Sequence, residues 1–599
     1  MMKFYGRWMV AVFASAAVVT LSGCALGGSR ASSGGGAGVN SLSVSGKVFG
    51  GQQPVVGATI QLYTVGTSGV ASASTPLIAS PGVTSNGGAF SITGSYLCTS
   101  ATQVYITATG GNAGAGTNNA LSMMAALGSC ATLKANAATT FININELSTV
   151  AAVWTLAPFM TDYTHVGASG ANPVGLLNAF AMANALVNTG TGTLATPSVG
   201  VTLPAQKINT LANILAACIN TAGTGSSQCS TLLGATGATE TIGAGLAIAR
   251  SPGASAMTAL YTLGTPNPPF VPTLTTQPND FILAVNYAGA ELLSPYGVAL
   301  DAGGNAWVTN VAGKSIVKLP AMSSSFATTT YSVGGLAGPR GISIDRGGNV
   351  WVANTGGNDV VELSSAGALL SGTGFTSAMN APVAIANDSA GNAWVVNFNG
   401  NSLTELGSTG IASGASPTTG GGVLNSPTAL AIDASGRVAV ANAGTGAVCV
   451  FSSAAVLQQC SNDGTLFGST GIAVNAAGNL AMAGSTTGAT LTGAFTLGTT
   501  TGTVNPASPV TGGGLVLPVA VAYDGAGVAW FANASSVSAF TGATAVSPVA
   551  GYGSFNLPRG IAVDGSGNVW TANAGDNSIS VLVGLATPVA VPLALNVGP

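Results

Sequence analysis

Hydrophobic and polar positions change their period twice along this chain. From Ser41 to about Ala138 apolar and polar residues alternate between turn signals, in Ser43-Val44-Ser45-Gly46-Lys47-Val48-Phe49, Ala58-Thr59-Ile60-Gln61-Leu62-Tyr63, Ala89-Phe90-Ser91-Ile92 and Val104-Tyr105-Ile106-Thr107. A period of two predicts strands with one buried face, here those of a small β-sandwich. Between Ile144 and Leu263 the period becomes helical. Glu146 to Trp154 and Lys207 to Leu215 both read as helices with largely apolar faces. After a Pro-rich passage, Pro266 to Pro278, short strands return and continue to the end of the chain.

In this last half one unit is written seven times: an apolar strand, an Asx, two small residues, often Gly-Asn, and a second strand. It reads Y-G-V-A-L-D-A-G-G-N-A-W-V-T-N from Tyr296, R-G-I-S-I-D-R-G-G-N-V-W-V-A-N from Arg340 and R-G-I-A-V-D-G-S-G-N-V-W-T-A-N from Arg559. The Asx column is Asp301, Asp345, Asp388, Asp433, Asn475, Asp524 and Asp564, spaced by about 40 to 49 residues, the length of one four-stranded propeller blade. The carboxylate caps a tight turn, and the glycine supplies positive φ. Six residues on stand Trp307, Trp351, Trp394, Ala439, Ala481, Trp530 and Trp570, so five of the seven tryptophans occupy one column. Indoles in that column are expected to fill the space between blades. Repeats five and six are degraded, which leaves six blades as the alternative count. Closure of the ring needs a strand shared between its ends: Phe281 to Val285 is preferred, with Val589 to Asn596 as the rival.

The repeats resemble NHL-repeat β-propellers, in particular the streptogramin-lyase-like branch with its G-I-A-V-D…G-N-V-W-V-A-N text, over about Asp280 to Pro599. The earlier order G-K-V…G-G-Q-Q-P-V-V-G-A-T-I-Q-L-Y…N-G-G-A-F resembles the transthyretin-like, carboxypeptidase-regulatory-like modules of exported bacterial proteins, which implies a spacer or adhesive unit. The streptogramin lyases place histidines and a carboxylate around a divalent metal. This chain has no histidine between Asp280 and Pro599, so that chemistry has no counterpart here.

The N-terminus adds a location. Lys3 and Arg7 precede an apolar stretch from Trp8 to Thr20, and Leu21-Ser22-Gly23-Cys24 follows, which resembles a lipoprotein signal peptide. This implies cleavage after Gly23, acylation of Cys24 and residence in the cell envelope, on the outer or cytoplasmic membrane and facing periplasm or exterior. Gly27 to Gly38 reads as a flexible tether. Beyond the first two dozen residues no apolar run reaches the eighteen or so a membrane-spanning helix needs. Setting Cys24 aside leaves six cysteines, and an oxidising compartment predicts disulfides between sequence neighbours: Cys98 with Cys130, Cys218 with Cys229, and Cys449 with Cys460, buried free thiols being the alternative. None has zinc-ligand spacing. The expected division is therefore 1–23 signal peptide, 24–40 lipidated cysteine and tether, 41–140 transthyretin-like sandwich, 141–265 helical domain, 266–279 Pro-rich linker and 280–599 propeller. The fold class is multidomain and mainly β.

Composition bounds the partners. Charged residues make up 5% of the chain and the formal net charge is -3, with 47% hydrophobic residues, so the chain can bury cores but offers no basic stripe for phosphates. Nucleic acid is not an expected partner, and no catalytic set, metal or cofactor is expected. The only histidine, His165, lies in a loop-like stretch with nothing spaced to assist it. One aspartate per blade is required by its turn, which makes the turn reading preferable to a calcium site. The variable column that opens each first strand is Tyr296, Arg340, Val383, Thr428, Thr470, Val519 and Arg559. From it Tyr296, Arg340, Thr428 and Arg559 are the ligand-binding candidates, two guanidiniums near one mouth being suited to a carboxylate or sulfate. The resulting function is a lipid-anchored envelope protein that binds a protein, peptide or glycan. A lyase-like enzyme working with carboxylates alone on a polysaccharide or peptide, and a self-associating surface-layer component, are the alternatives.

Overall fold

The computed structural model describes residues 40–590 except 97, 137–140, 254–255, 322–326, 334, 462–465, 487–492 and 502. Cys24, the tether and most of the rival closing strand lie outside the described residues.

The alternating segments form two sheets. Asn40–Gly50 pairs antiparallel with Ala89–Tyr96 and parallel with Phe141–Ile144. Thr59–Thr64 pairs with Gln103–Thr109, which pairs with Ser122–Ser129. Val44, Val48, Ile60, Leu62, Val104 and Ile106 are fully buried between the sheets, as the period of two requires. Ser122–Ser129 escapes that pattern because it is covered on both faces. Helix Glu146–Leu156 packs against it, with Ser148 donating to the Met124 carbonyl at 3.0 Å. That helix opens with a capping box between Asn145 and Ser148, and all eleven of its residues are buried.

Helices Pro173–Leu186, Ala205–Ile219, Ser227–Thr236, Thr241–Arg250 and Met257–Leu263 complete the helical region. Residues 266–279 run along it under restraint: the Asn213 amide donates to the Phe270 carbonyl and accepts from its N–H, and Asn209 donates to Pro272. One continuous hydrophobic core contains sandwich, helices and the first and last propeller blades, so the successive segments do not have separate interiors. Among the described residues no single helix is long and apolar enough to cross a bilayer.

The repeats form seven blades, which settles the count. Their innermost strands are Pro295–Leu300, Pro339–Ile344, Pro382–Asn387, Pro427–Ile432, Leu466–Val474, Ala520–Tyr523 and Pro558–Val563, each opening a separate antiparallel sheet. In the last blade the order is Pro558–Val563, Val569–Asn573, Ser578–Leu582 and then Ala284–Tyr287, so the N-terminal strand does close the ring. It enters slightly later than the sequence suggests. Phe281 and Leu283 are withdrawn into the shared core, and the Phe281 carbonyl accepts from the Trp154 indole at 3.1 Å.

Each tryptophan of the column packs on the next blade. Trp307 clusters with Ile344, Val350, Val352 and Val361; Trp351 with Ile385, Ala393 and Val395; Trp394 with Leu430, Val438 and Val440. Trp530 clusters with Ile561, Val563 and Val569, and Trp570 with Leu300, Ala306 and Val308, so the last blade is sealed to the first. Where the column holds alanine, other residues take the space: Met482 and Leu480 beside Ala439, and Phe495, Phe531 and Phe540 beside Ala481. Disulfides join Cys98 to Cys130, Cys218 to Cys229 and Cys449 to Cys460.

Candidate ligand-binding face of the propeller

The turn aspartate has two tasks, one per oxygen. In blade 3 Asp388 Oδ1 accepts from the N–H groups of Ala390 and Asn392, both at 2.9 Å, while Oδ2 accepts from the Trp394 indole N–H at 3.0 Å. The same indole bond recurs from Trp307 to Asp301, Trp351 to Asp345, Trp530 to Asp524 and Trp570 to Asp564 at 2.9–3.2 Å. In blade 4, where Ala439 stands for tryptophan, Asp433 Oδ2 instead accepts from Arg437 and from the Thr500 hydroxyl, each at 2.7 Å. Blade 5 lacks the indole and has Asn475 for the aspartate. The aspartate oxygens are therefore taken up by hydrogen bonds in their own turns and, for Asp433 and Asp524, by Thr500 and the Thr587 N–H of later segments, which supports the turn reading over a metal reading.

These turns all lie on one face, where each innermost strand hands over to the second. The helical region meets that face at blades 7 and 1: Asn178 donates to Gly303, Asn172 to Gly565, and the Ser566 hydroxyl to Gly175. The opposite face carries the starts of the innermost strands. There the ladder is bulged in six blades, for example between Pro295 and Val298 and between Pro339 and Ile342. A bulge re-aims the residue at the mouth. The residue after it must be small, because neighbouring strands touch. A Cβ at Gly297 would stand 2.5 Å from the Arg340 carbonyl, one at Gly341 would press on Ala384, and one at Gly560 on the Tyr296 carbonyl.

This contact between Gly560 and Tyr296 decides how the candidates are grouped. Arg559, Tyr296 and Arg340 are far apart in the chain, yet they begin the innermost strands of blades 7, 1 and 2, three neighbours in the ring. The Arg340 guanidinium lies over the Tyr296 ring at 5.6 Å from its centre, and both arginines are exposed. Neither forms an ion pair among the described residues, whereas Lys318 and Arg437 are bound to Asp301 and Asp433. Lys314, at the hairpin turn of blade 1 on this face, is a third exposed cation that the repeat pattern did not single out. Its position is asparagine in three other blades, Asn358, Asn401 and Asn577, which was the available signal. Thr428 is placed elsewhere. It begins the innermost strand of blade 4, and its hydroxyl is spent on the Ser469 carbonyl of blade 5 at 2.6 Å. His165 is also not alone: its Nδ1 lies 2.9 Å from Asp162 Oδ2, far along the chain from the repeats.

Comparison with known proteins adds the following. No family model and no curated protein matches this chain. Among solved structures, virginiamycin B lyase from Staphylococcus aureus aligns with 16% identity and a TM-score of 0.41, over 50% of this chain and 98% of its own. Kuenenia stuttgartiensis hydrazine synthase aligns with 14% identity and a TM-score of 0.41, over 49% of this chain and 96% of its own. The WD40 domain of Neurospora crassa Pan2 aligns with 12% identity and a TM-score of 0.39, over 49% and 93%. Similarity at this level accompanies the propeller fold and says nothing of chemistry.

Of the propeller carboxyls with raised pKa, Asp359 is pushed up by burial at the hairpin turn of blade 2 on the mouth face, and two others lie away from it. Burial, with the nearby Asp345 charge, pushes Glu362 up to about 7, and burial raises Asp564 despite its hydrogen bonds. Glu362 sits on the third strand of blade 2 and Asp564 in the turn of blade 7 under the helices. Among the described residues no three His, Cys, Asp or Glu side chains gather in one cluster.

Proposed function

We propose that this chain is a cell-envelope protein, lipid-anchored through Cys24, which presents the propeller as a binding platform and takes a partner's carboxylate or sulfate at the Arg559–Tyr296–Arg340 arc. The observation that carries this reading is the adjacency of the three residues on blades 7, 1 and 2, on the face opposite the helical contacts. Two guanidiniums flanking a tyrosine provide forked donors and an apolar platform for one anionic group. The anchor rests on the Leu21-Ser22-Gly23-Cys24 text and the basic-then-apolar run before it. The enzyme alternative is less well supported, because none of the perturbed propeller carboxyls, Asp359, Glu362 and Asp564, stands at the start of an innermost strand.

The test is equilibrium binding of two probes, sulfated dextran and polygalacturonate, to the unlipidated protein and to an R340A/R559A double variant. Binding is expected to weaken at least tenfold in the variant, which is about 1.4 kcal/mol, and to lose salt dependence. Equal binding by both proteins overturns the assignment.

A further inference from the structure

The outer face of the second sandwich sheet is polar, yet it is not simply open to water. Thr59, Gln61 and Tyr63 alternate on one strand opposite Thr109, Thr107 and Tyr105 on the next. Their even neighbours Ile60, Leu62, Ile106 and Ala108 fill the sandwich core, so this row is the sheet's outward side. Residues 75–81, Tyr96 and Tyr163 rise around it and leave a groove of about 1000 Å³, at the upper end of ligand-site sizes.

The groove contains tyrosine rings, five threonines, one glutamine and a few aliphatic and proline residues, and no Asp, Glu, Lys or Arg lines it. Tyr63 is stacked on Tyr105 at 5.3 Å between ring centres, and the Tyr105 hydroxyl donates to the Tyr163 carbonyl, which fixes both sides of the platform. The Gln61 amide is held by the carbonyls of Leu62 and Ile78. In the wall, the Tyr96 hydroxyl is closed from solvent and has no hydrogen-bond partner. A buried hydroxyl without a partner costs about 1–3 kcal/mol, and a ligand oxygen reaching it would remove that cost.

We infer that this groove is a binding site for an uncharged saccharide. Sugar rings present apolar C–H faces to aromatic rings and hydroxyls to threonine and amide groups, and this lining offers both without a charge to desolvate. A lipid chain would leave the hydroxyls unpaired. A peptide adding as a strand is blocked on this sheet edge, because the free side of Thr59–Thr64 is already paired with Thr75–Pro76 and Gly82–Val83. The site is independent of the propeller arc.

The experiment titrates the unlipidated full chain with cellohexaose, maltohexaose and N,N′-chitohexaose, followed by calorimetry and tyrosine fluorescence. At least one neutral oligosaccharide is expected to bind. Tyr163→Ala and the shape-preserving Thr109→Val are each expected to weaken that binding, the former tenfold or more. The R340A/R559A variant is expected to bind as the unaltered protein does. An unaltered melting temperature in Thr109→Val keeps its result interpretable if Tyr163→Ala misfolds. Binding of none of the three sugars overturns the inference, as does binding that survives both groove substitutions or equal competition by an uncharged Ser/Thr peptide.

Discussion

The bond between turn aspartate and indole is testable as a coupled pair, and blade 3 is the place to do it. Asp388 Oδ2 accepts from Trp394 Nε1 at 3.0 Å and from the Asn392 amide at 3.0 Å, while Oδ1 holds two turn N–H groups. Trp394→Phe keeps most of the ring in the seam to blade 4 and removes one charge-assisted donor. Asp388→Asn keeps an acceptor for the turn but aims an amide N–H at the indole N–H, two donors in a dry seam. Each single change is expected to cost about 1.5–3 kcal/mol. In the Trp394→Phe background the new amide no longer meets the indole N–H and faces only the Asn392 amide, so the double variant should be more stable than the sum of the singles implies, by about 1–2 kcal/mol. Trp394→Ala, which empties the seam, should cost about 3–5 kcal/mol. Urea unfolding followed by far-ultraviolet circular dichroism reads the unaltered protein and all four variants through the same transition. Additivity within about 0.5 kcal/mol would refute the pairing and leave the aspartate as a turn cap alone.

Three further outcomes are expected. Asn577, in the left-handed region at φ 56°, accepts from the Ser294 N–H at 2.7 Å across the junction of blades 7 and 1; Asn577→Ala should cost about 1–2 kcal/mol and raise hydrogen exchange at the Ser294 amide, and unchanged exchange there would contradict the clip. Asn387 is buried with neither side-chain atom partnered, where Leu300, Ile344, Ile432 and Val563 end the corresponding strands; Asn387→Ile should stabilise by about 1–2 kcal/mol in urea, and a loss would show that the amide has a role in the seam. Burial pushes Glu146 up to about 8, one oxygen accepting from the Gly51 N–H at 2.8 Å and the other without a partner. The folded state therefore holds this proton more tightly than the unfolded chain, so its contribution to stability is complete below about pH 4.5 and declines until about pH 8. Glu146→Gln should remove up to about 1.4 kcal/mol per pH unit of that decline; parallel stability curves for the two proteins from pH 5 to 8 would refute it.

The ring was legible in the sequence because its units repeat: a column of Asx marks a hairpin seven times over and a column of tryptophan marks five of the seven, and even the closing strand could be chosen from its apolar text. The count of seven held against six because residues outside the column, Met482, Phe495, Phe531 and Phe540, fill the seams that lack an indole. No single repeat announces that exchange. The grouping of Arg559 with Tyr296 and Arg340 follows from closure, and Thr428 separates from them for the same reason. The groove on the sandwich was not legible, because period-two alternation states which residues face outward and not what later segments, here Tyr163, will stand over them. Strand Ser122–Ser129 was missed since burial on both faces erases alternation.

The low charge of the chain takes on a different meaning once its charges are placed. Six of the sixteen acidic residues are the turn aspartates Asp301, Asp345, Asp388, Asp433, Asp524 and Asp564. All six are buried and hydrogen-bonded within their repeats. Of the propeller's cations, Lys318 and Arg437 answer such aspartates, and Arg346 donates to the Ser389 carbonyl. Arg340 and Arg559 form no ion pair among the described residues, and Glu291, Asp359 and Asp576 stand outside the innermost strands, the Glu291 carboxylate being held by the Tyr287 and Thr328 hydroxyls. On a surface furnished mainly with Thr, Ser, Gly and Ala, even two unopposed guanidiniums set the local potential, because there is little else to screen or compete with them. On the proposed reading a scarcity of charge therefore sharpens the mouth as an anion site while leaving the sandwich groove neutral, so the two sites would take chemically different ligands.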